Sequence, residues 1–247
     1  MESAVITEIK PLSQIERVVD VLVAPSKTFE DIRRSSSWWL PFIIVAILSS
    51  AFSYTVLNKV GIPTLVDSTV RSSPMLENQM SNASPEAAAK MRAGIEKQFQ
   101  FMYIYPVLAM LIALIAAGVL LGTANFVFAG RATYGQMLAV WFYGTLPLTF
   151  ISILTVVAIY AGMSTDGFNI KNAIGTNVGF YLQDGSAPKW LVTLLSSVDV
   201  FAIWTAVVLT IGVSTVAGIK RSSAAIVVFG WWALYVLVQT GFAAVAG

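Results

Sequence analysis

The sequence predicts an all-α membrane protein, a bundle of five transmembrane helices with a short amphipathic N-terminal cytosolic head. Three observations predict it. The 247 residues are 57% hydrophobic and 11% charged, where a soluble domain carries about 25% charged residues. Five apolar stretches run at 40–58, 105–129, 137–161, 191–217 and 224–243. Each approaches or exceeds the roughly 20 residues that cross a hydrocarbon core about 30 Å thick. Together they contain one formally charged side chain, Asp199. The runs are continuous, without the alternating segments of about ten residues that mark a transmembrane barrel. Backbone groups inside lipid must be satisfied locally, so the spans are read as helices.

The head covers residues 1–38, and the transmembrane domain 39–243. Within the head, Leu12, Ile15, Val18, Val19, Leu22 and Val23 recur at helical spacing, while Glu16, Arg17 and Asp20 take the other positions. That pattern fits an amphipathic helix lying on the membrane or on the bundle, and it also suits docking of cytosolic protein partners. Pro25 ends it. A second short helix around 27–34 places Phe29 and Ile32 on one face. The segment lacks the short apolar region and small-residue cleavage site of a signal peptide, so the first span is expected to act as an uncleaved insertion signal.

Trp38 and Trp39 stand at the entrance to the first span, where indoles favour the headgroup level. Pro41 suits a first helical turn. The exposed loop 61–102 is long and polar. In its second half, Ser84-Pro85-Glu86 is a helix-start signal, and the helix it opens can run straight into the second span. The second span contains Gly118 and Gly122, a GxxxG pair that lets backbones approach. Packing within the bundle is the first reading of that pair, and contact between copies in a homo-oligomer is the second. Pro147 bends the third span. Loop 162–190 is rich in Gly, Asn, Asp and Ser, and its Phe168, Ile170, Phe180, Tyr181 and Leu182 are expected to dip into the interface.

Orientation follows from the short connections. Arg33, Arg34, Arg131, Lys220 and Arg221 share one side, which places the N-terminus inside and the C-terminus outside. The expected location is the cytoplasmic membrane of a prokaryote.

Composition also narrows function. Net charge is +2 with dispersed basic residues, which does not suit nucleic acid. Histidine and cysteine are both absent. Their absence removes Ser-His-Asp triads, His-ligated zinc or haem, and thiol chemistry. No cofactor is expected, and an enzyme is disfavoured. Asp199, read as about nine residues into the fourth span, is the one buried polar candidate. It can act as a packing lock bonded to Ser196, Tyr160, Tyr54 or Gln239, as the polar site of a small transporter or channel component, or as support for a partner site.

Several segments carry a resemblance. The head reads VLVAPSKTFEDI before WWLPFIIVAIL, the middle reads GRATYGQMLAVWFYGTLPLTF, and the fourth span reads SSVDVFAIWTAVVLTIGVSTVAGI. In this order they resemble the Yip family, the Ypt/Rab-interacting membrane proteins, in its prokaryotic form, over residues 15–243. The resemblance implies five membrane helices with the N-terminal part in the cytosol. It also implies a family Asp at Asp199, with Phe201 and Trp204 beside it. Eukaryotic relatives bind prenylated small GTPases and act in vesicle traffic. The short head and long first loop depart from them, so that activity is not carried over. The expectation is a non-enzymatic membrane scaffold or adaptor.

Overall fold

The computed structural model describes residues 11–182 and 187–246. The first ten residues of the expected head and residues 183–186 of the second loop lie outside them. Two helices form the described head, α1 (Gln14–Val23) and α2 (Pro25–Ile32). Ser13 and Glu16 close a reciprocal capping box on α1, satisfying two orphan donors of its first turn. Pro25 ends α1 and opens α2, because proline fits the first turn but cannot continue a helix.

The first span is α3 (Trp39–Thr55), continued by a π-helical turn to Val60. Residues 61–102, expected to be an exposed loop with a helix in its second half, form a helical cap. It consists of α4 (Ile62–Arg71), α5 (Pro74–Ser81) and α6 (Pro85–Gln100), and Ser84 caps α6 as its sequence implies. A 3-10 turn leads directly into α7 (Tyr105–Gly122), the second span. Leu65, Val66 and Phe99 of the cap bury against Val56, Val60 and Ile159 at the span ends, and Phe168 joins this cluster from the second loop. Phe168 therefore packs on protein, whereas Tyr181 stays 71% exposed.

The third span is α8 (Tyr134–Gly144) and α9 (Thr149–Tyr160), joined by a 3-10 turn that contains Pro147, so the expected break falls there. Residues 191–217 do not form one helix. They divide between α10 (Lys189–Ser197) and α11 (Val200–Ala217). A 26-residue α12 (Arg221–Ala246) supplies the fifth span.

Among the described residues, five helices are long and apolar enough to cross a membrane. Of the apolar stretch of each span, 17% is buried in the second and fifth and 44% in the fourth, so α11 is central and α7 and α12 are peripheral. Around α11 the main core gathers Val140, Phe142 and Tyr143 of α8, Ala113 and Ala117 of α7, and Ala224 and Val227 of α12. Val21, Phe29 and Ile32 of the head are fully buried in this same core. A Cβ built on Gly212 would lie 2.9 Å from the Phe29 ring and 2.8 Å from Val140 Cγ1, so the missing side chain is what lets α2 and α8 close on α11.

Candidate functional site

Two polar assemblies stand at opposite ends of the bundle. The distal one is built around Asp199, which is the N-cap of α11 and not a mid-span residue. Its Oδ1 accepts from the backbone N–H of Phe201 at 2.8 Å and of Ala202 at 3.2 Å. These are orphan donors of a first helical turn, where a carboxylate also meets the positive end of the helix dipole. The hydroxyl of Thr176 donates to Oδ2, and the backbone N–H of Val200 donates to the Thr176 carbonyl at 3.2 Å.

The second loop thus feeds the cap. Asn177 caps the turn Val178–Tyr181 and donates to Asn172 Oδ1 at 2.9 Å. Gly179 in that turn lies directly against Val192 and Ser196 of α10. None of Ser196, Tyr160, Tyr54 and Gln239 bonds Asp199. The lock closes on Thr176 and backbone because the helix breaks at Val198. Removing the carboxylate leaves two first-turn N–H groups and the Thr176 hydroxyl unpaired. Asp199→Ala is expected to cost about 1–2 kcal/mol, and Asp199→Asn clearly less, because its side-chain oxygen still accepts. Thermal unfolding in detergent reads both.

The other sequence-derived positions fall in different surroundings. Phe201 and Trp204 stack on Phe150 of α9 with centroids 5.6 and 5.7 Å apart, forming an aromatic triad beside the Asp199 cap. Gln239 is half-buried on α12. Pro147 is buried at the break in the third span. The glycine pair does not mark the close helix crossing. A Cβ on Gly118 would meet only Tyr134 at 3.9 Å, and one on Gly122 nothing within 4 Å. The packed stripe of α7 is Ala113, Ala117 and Leu120, which places the glycines to one side. Close approach falls at Gly144 and Gly212 instead.

The assembly at the other end escapes sequence reasoning. Arg17, assigned by periodicity to the polar face, is 2% exposed. Its Nη2 lies 2.6 Å from Asp31 Oδ2, with both side chains 3% exposed, and its Nε donates to the same oxygen at 2.7 Å. Nη1 donates to the Ser35 carbonyl at 3.0 Å, and Arg34 donates to Asp31 Oδ1 at 2.9 Å. A buried ion pair persists only where such added hydrogen bonds offset desolvation. Thr28 donates to the Arg17 carbonyl at 3.1 Å, and the Tyr143 hydroxyl donates to Gln14 Oε1 at 2.8 Å, tying α1 to α2 and to α8. Gln136 Nε2 reaches the Arg33 carbonyl at 3.1 Å, and Arg221 reaches Ser26 Oγ at 3.3 Å. At the surface Lys27 pairs with Asp20 at 2.8 Å, and that hydrogen bond raises its ammonium above the ordinary lysine range.

These contacts place the head, the α7–α8 connection and the α11–α12 connection at one end. Among the described residues that end carries seven basic side chains against four acidic ones, so it is the positive end of the molecule. Nothing in periodicity singles out Arg17 and Asp31, since a helical wheel cannot say which face a membrane bundle claims. For the distal assembly a signal was present, because Asp directly before an apolar run is an N-cap pattern.

Comparison with known proteins agrees with this architecture. A family model described as the Yip1 domain matches residues 19–243. Neither the curated proteins nor the solved structures yield a match. The match begins inside α1 and ends near the end of α12, so it takes in the second half of α1, α2 and the five spans. This chain is an integral, multi-pass membrane protein in contact with lipid, and it belongs to the Yip1 domain family.

Proposed function

We propose that this protein is a non-enzymatic membrane adaptor, inserted with its head end in the cytosol and presenting that end to protein partners. The observation that carries the reading is the fixed attachment of the head. Phe29 and Ile32 bury α2 in the main core, and the Arg17–Asp31 pair ties α2 to α1. Lys27, Glu30 and Arg33 are left exposed beside the basic connections. A pre-organised charged surface loses little entropy on docking. Orientation rests on the positive-inside bias of the short connections. Both Asp199 oxygens are engaged, Oδ1 by the helix cap and Oδ2 by the Thr176 hydroxyl, which favours a structural role for that residue over a proton or cation site. The missing histidine and cysteine weigh against enzyme chemistry.

The experiment is cross-linking and mass spectrometry of the intact protein purified in mild detergent. Deleting the head would expose the main core, so surface variants are the proper control. Reproducible partners should be lost in a Lys27→Glu, Arg33→Glu variant that keeps its thermal stability. A clean preparation, or partners indifferent to this reversal, would count against the adaptor reading. The transporter alternative is addressed by flux in proteoliposomes: a carrier that uses Asp199 loses coupling in Asp199→Asn, whereas an adaptor keeps its partners.

A further inference from the structure

The face that α1 leaves uncovered is apolar. With about 100° between successive residues, α1 has three faces. Gln14, Arg17, Val18 and Val21 turn towards the protein, and Glu16 and Asp20 form a narrow charged face. Ile15, Val19 and Val23 form the third, at 71%, 54% and 77% exposure. A soluble amphipathic helix would bury this stripe and expose Arg17. Here Arg17 is inside and Ile15, Val19 and Val23 are outside.

Depth explains the inversion. Gln14 is bonded to Tyr143, which lies nine residues into α8, about 13 Å along the helix from Tyr134. Phe29 packs on Gly212, five residues before α11 ends and about 8 Å from it. The head therefore sits alongside the ends of the spans and not beyond them. At that level the surroundings of an exposed stripe are the outer acyl chains and the headgroups. Lys27 in α2, Arg33 just after it, and Lys220 and Arg221 where α11 gives way to α12 have exposed side chains at this same end, and Arg221 reaches α2 through Ser26.

We propose that α1 is an interfacial membrane helix, with Ile15, Val19 and Val23 immersed in the lipid leaflet at the head end and the surrounding cations seated on anionic lipid headgroups. The inversion of α1 then has a physical cause. The solvent of the apolar stripe is lipid, and the arginine, which lipid would penalise, is paired inside the protein. This goes beyond the adaptor reading and holds whether or not a protein docks on α2, so the two can fail separately.

The chain has no cysteine, so single replacements label uniquely. The full-length protein carrying Ile15→Cys, Val19→Cys, Val23→Cys or, as a control, Glu30→Cys is spin-labelled and placed in nanodiscs of phosphatidylcholine and phosphatidylglycerol. Collision with oxygen is compared with collision with a water-soluble nickel chelate. Positions 15, 19 and 23 should favour oxygen, at roughly 5–10 Å below the phosphates, and position 30 should favour nickel. Leaving out phosphatidylglycerol should shift the three stripe labels towards water. Nickel contact at all three stripe positions overturns the proposal. So does protection from both reagents, the outcome if a second copy of the chain covers the stripe. A depth indifferent to phosphatidylglycerol overturns the assignment of anionic headgroups.

Discussion

Arg17→Ala should lower stability by about 3–5 kcal/mol, the largest single-site loss expected in the head. The substitution removes three hydrogen bonds and leaves Asp31 buried with Arg34 as its remaining cation. Arg34 is half-exposed and, of the two Asp31 oxygens, bonds Oδ1, so Oδ2 loses its arginine partner. Removing both partners should hurt less than removing one. In an Arg17→Met, Asp31→Leu variant the buried charges are gone and their volume is largely kept, so most of the lost stability should return. The cycle is read by thermal unfolding in detergent. A single-variant loss near zero would mean that the pair is solvated and the head loosely held.

Gly179→Ala is expected to cost about 3 kcal/mol, near the upper end for overpacking. The added Cβ would lie 2.7 Å from the Ser196 backbone nitrogen and 2.8 Å from the Val192 carbonyl, and it would also strike the Ser196 hydroxyl. Two of these atoms are α10 backbone, so no rotamer change relieves the clash. Either α10 shifts on α12, or the loop withdraws and takes Thr176 away from Asp199. Gly122→Ala provides the contrast. It meets nothing within 4 Å and replaces a poor helix former, so it should be neutral or slightly stabilising. Equal effects of the two substitutions would show that the loop does not press on α10.

The spans were legible because a long uncharged apolar run has few alternatives to a membrane helix. Pro25, Ser84 and Pro147 also acted where their chemistry says they should. Other features were hidden for identifiable reasons. The break before α11 lies inside a continuous apolar run, so hydropathy passes over it, and only the capping pattern of Asp199 marks it. The cap helices α4 and α5 are short and polar enough to read as loop, although Pro63 and Pro74 occupy their first turns. Periodicity found the apolar stripe of α1 and assigned Arg17 to the opposite, polar side. The inversion follows from the solvent, since in a membrane the apolar stripe can turn outward and the charged group must find its partner within. Gly118 and Gly122 matched a packing motif, but the alanine stripe beside them makes the contact. Gly144 and Gly212 stand without a motif where α8, α11 and α2 approach closely.

Hydrogen exchange on the protein in lipid nanodiscs tests most directly whether the head is a fixed part of the bundle. Amides of residues 17–32 should exchange as slowly as those of 137–144 and 206–217, because Val21, Phe29 and Ile32 share their core. In Arg17→Ala the head should exchange faster while the distal cap 62–100 is unchanged. Rapid exchange across 17–32 in the unaltered protein would contradict the account, since a head that opens freely cannot present a fixed surface to a partner.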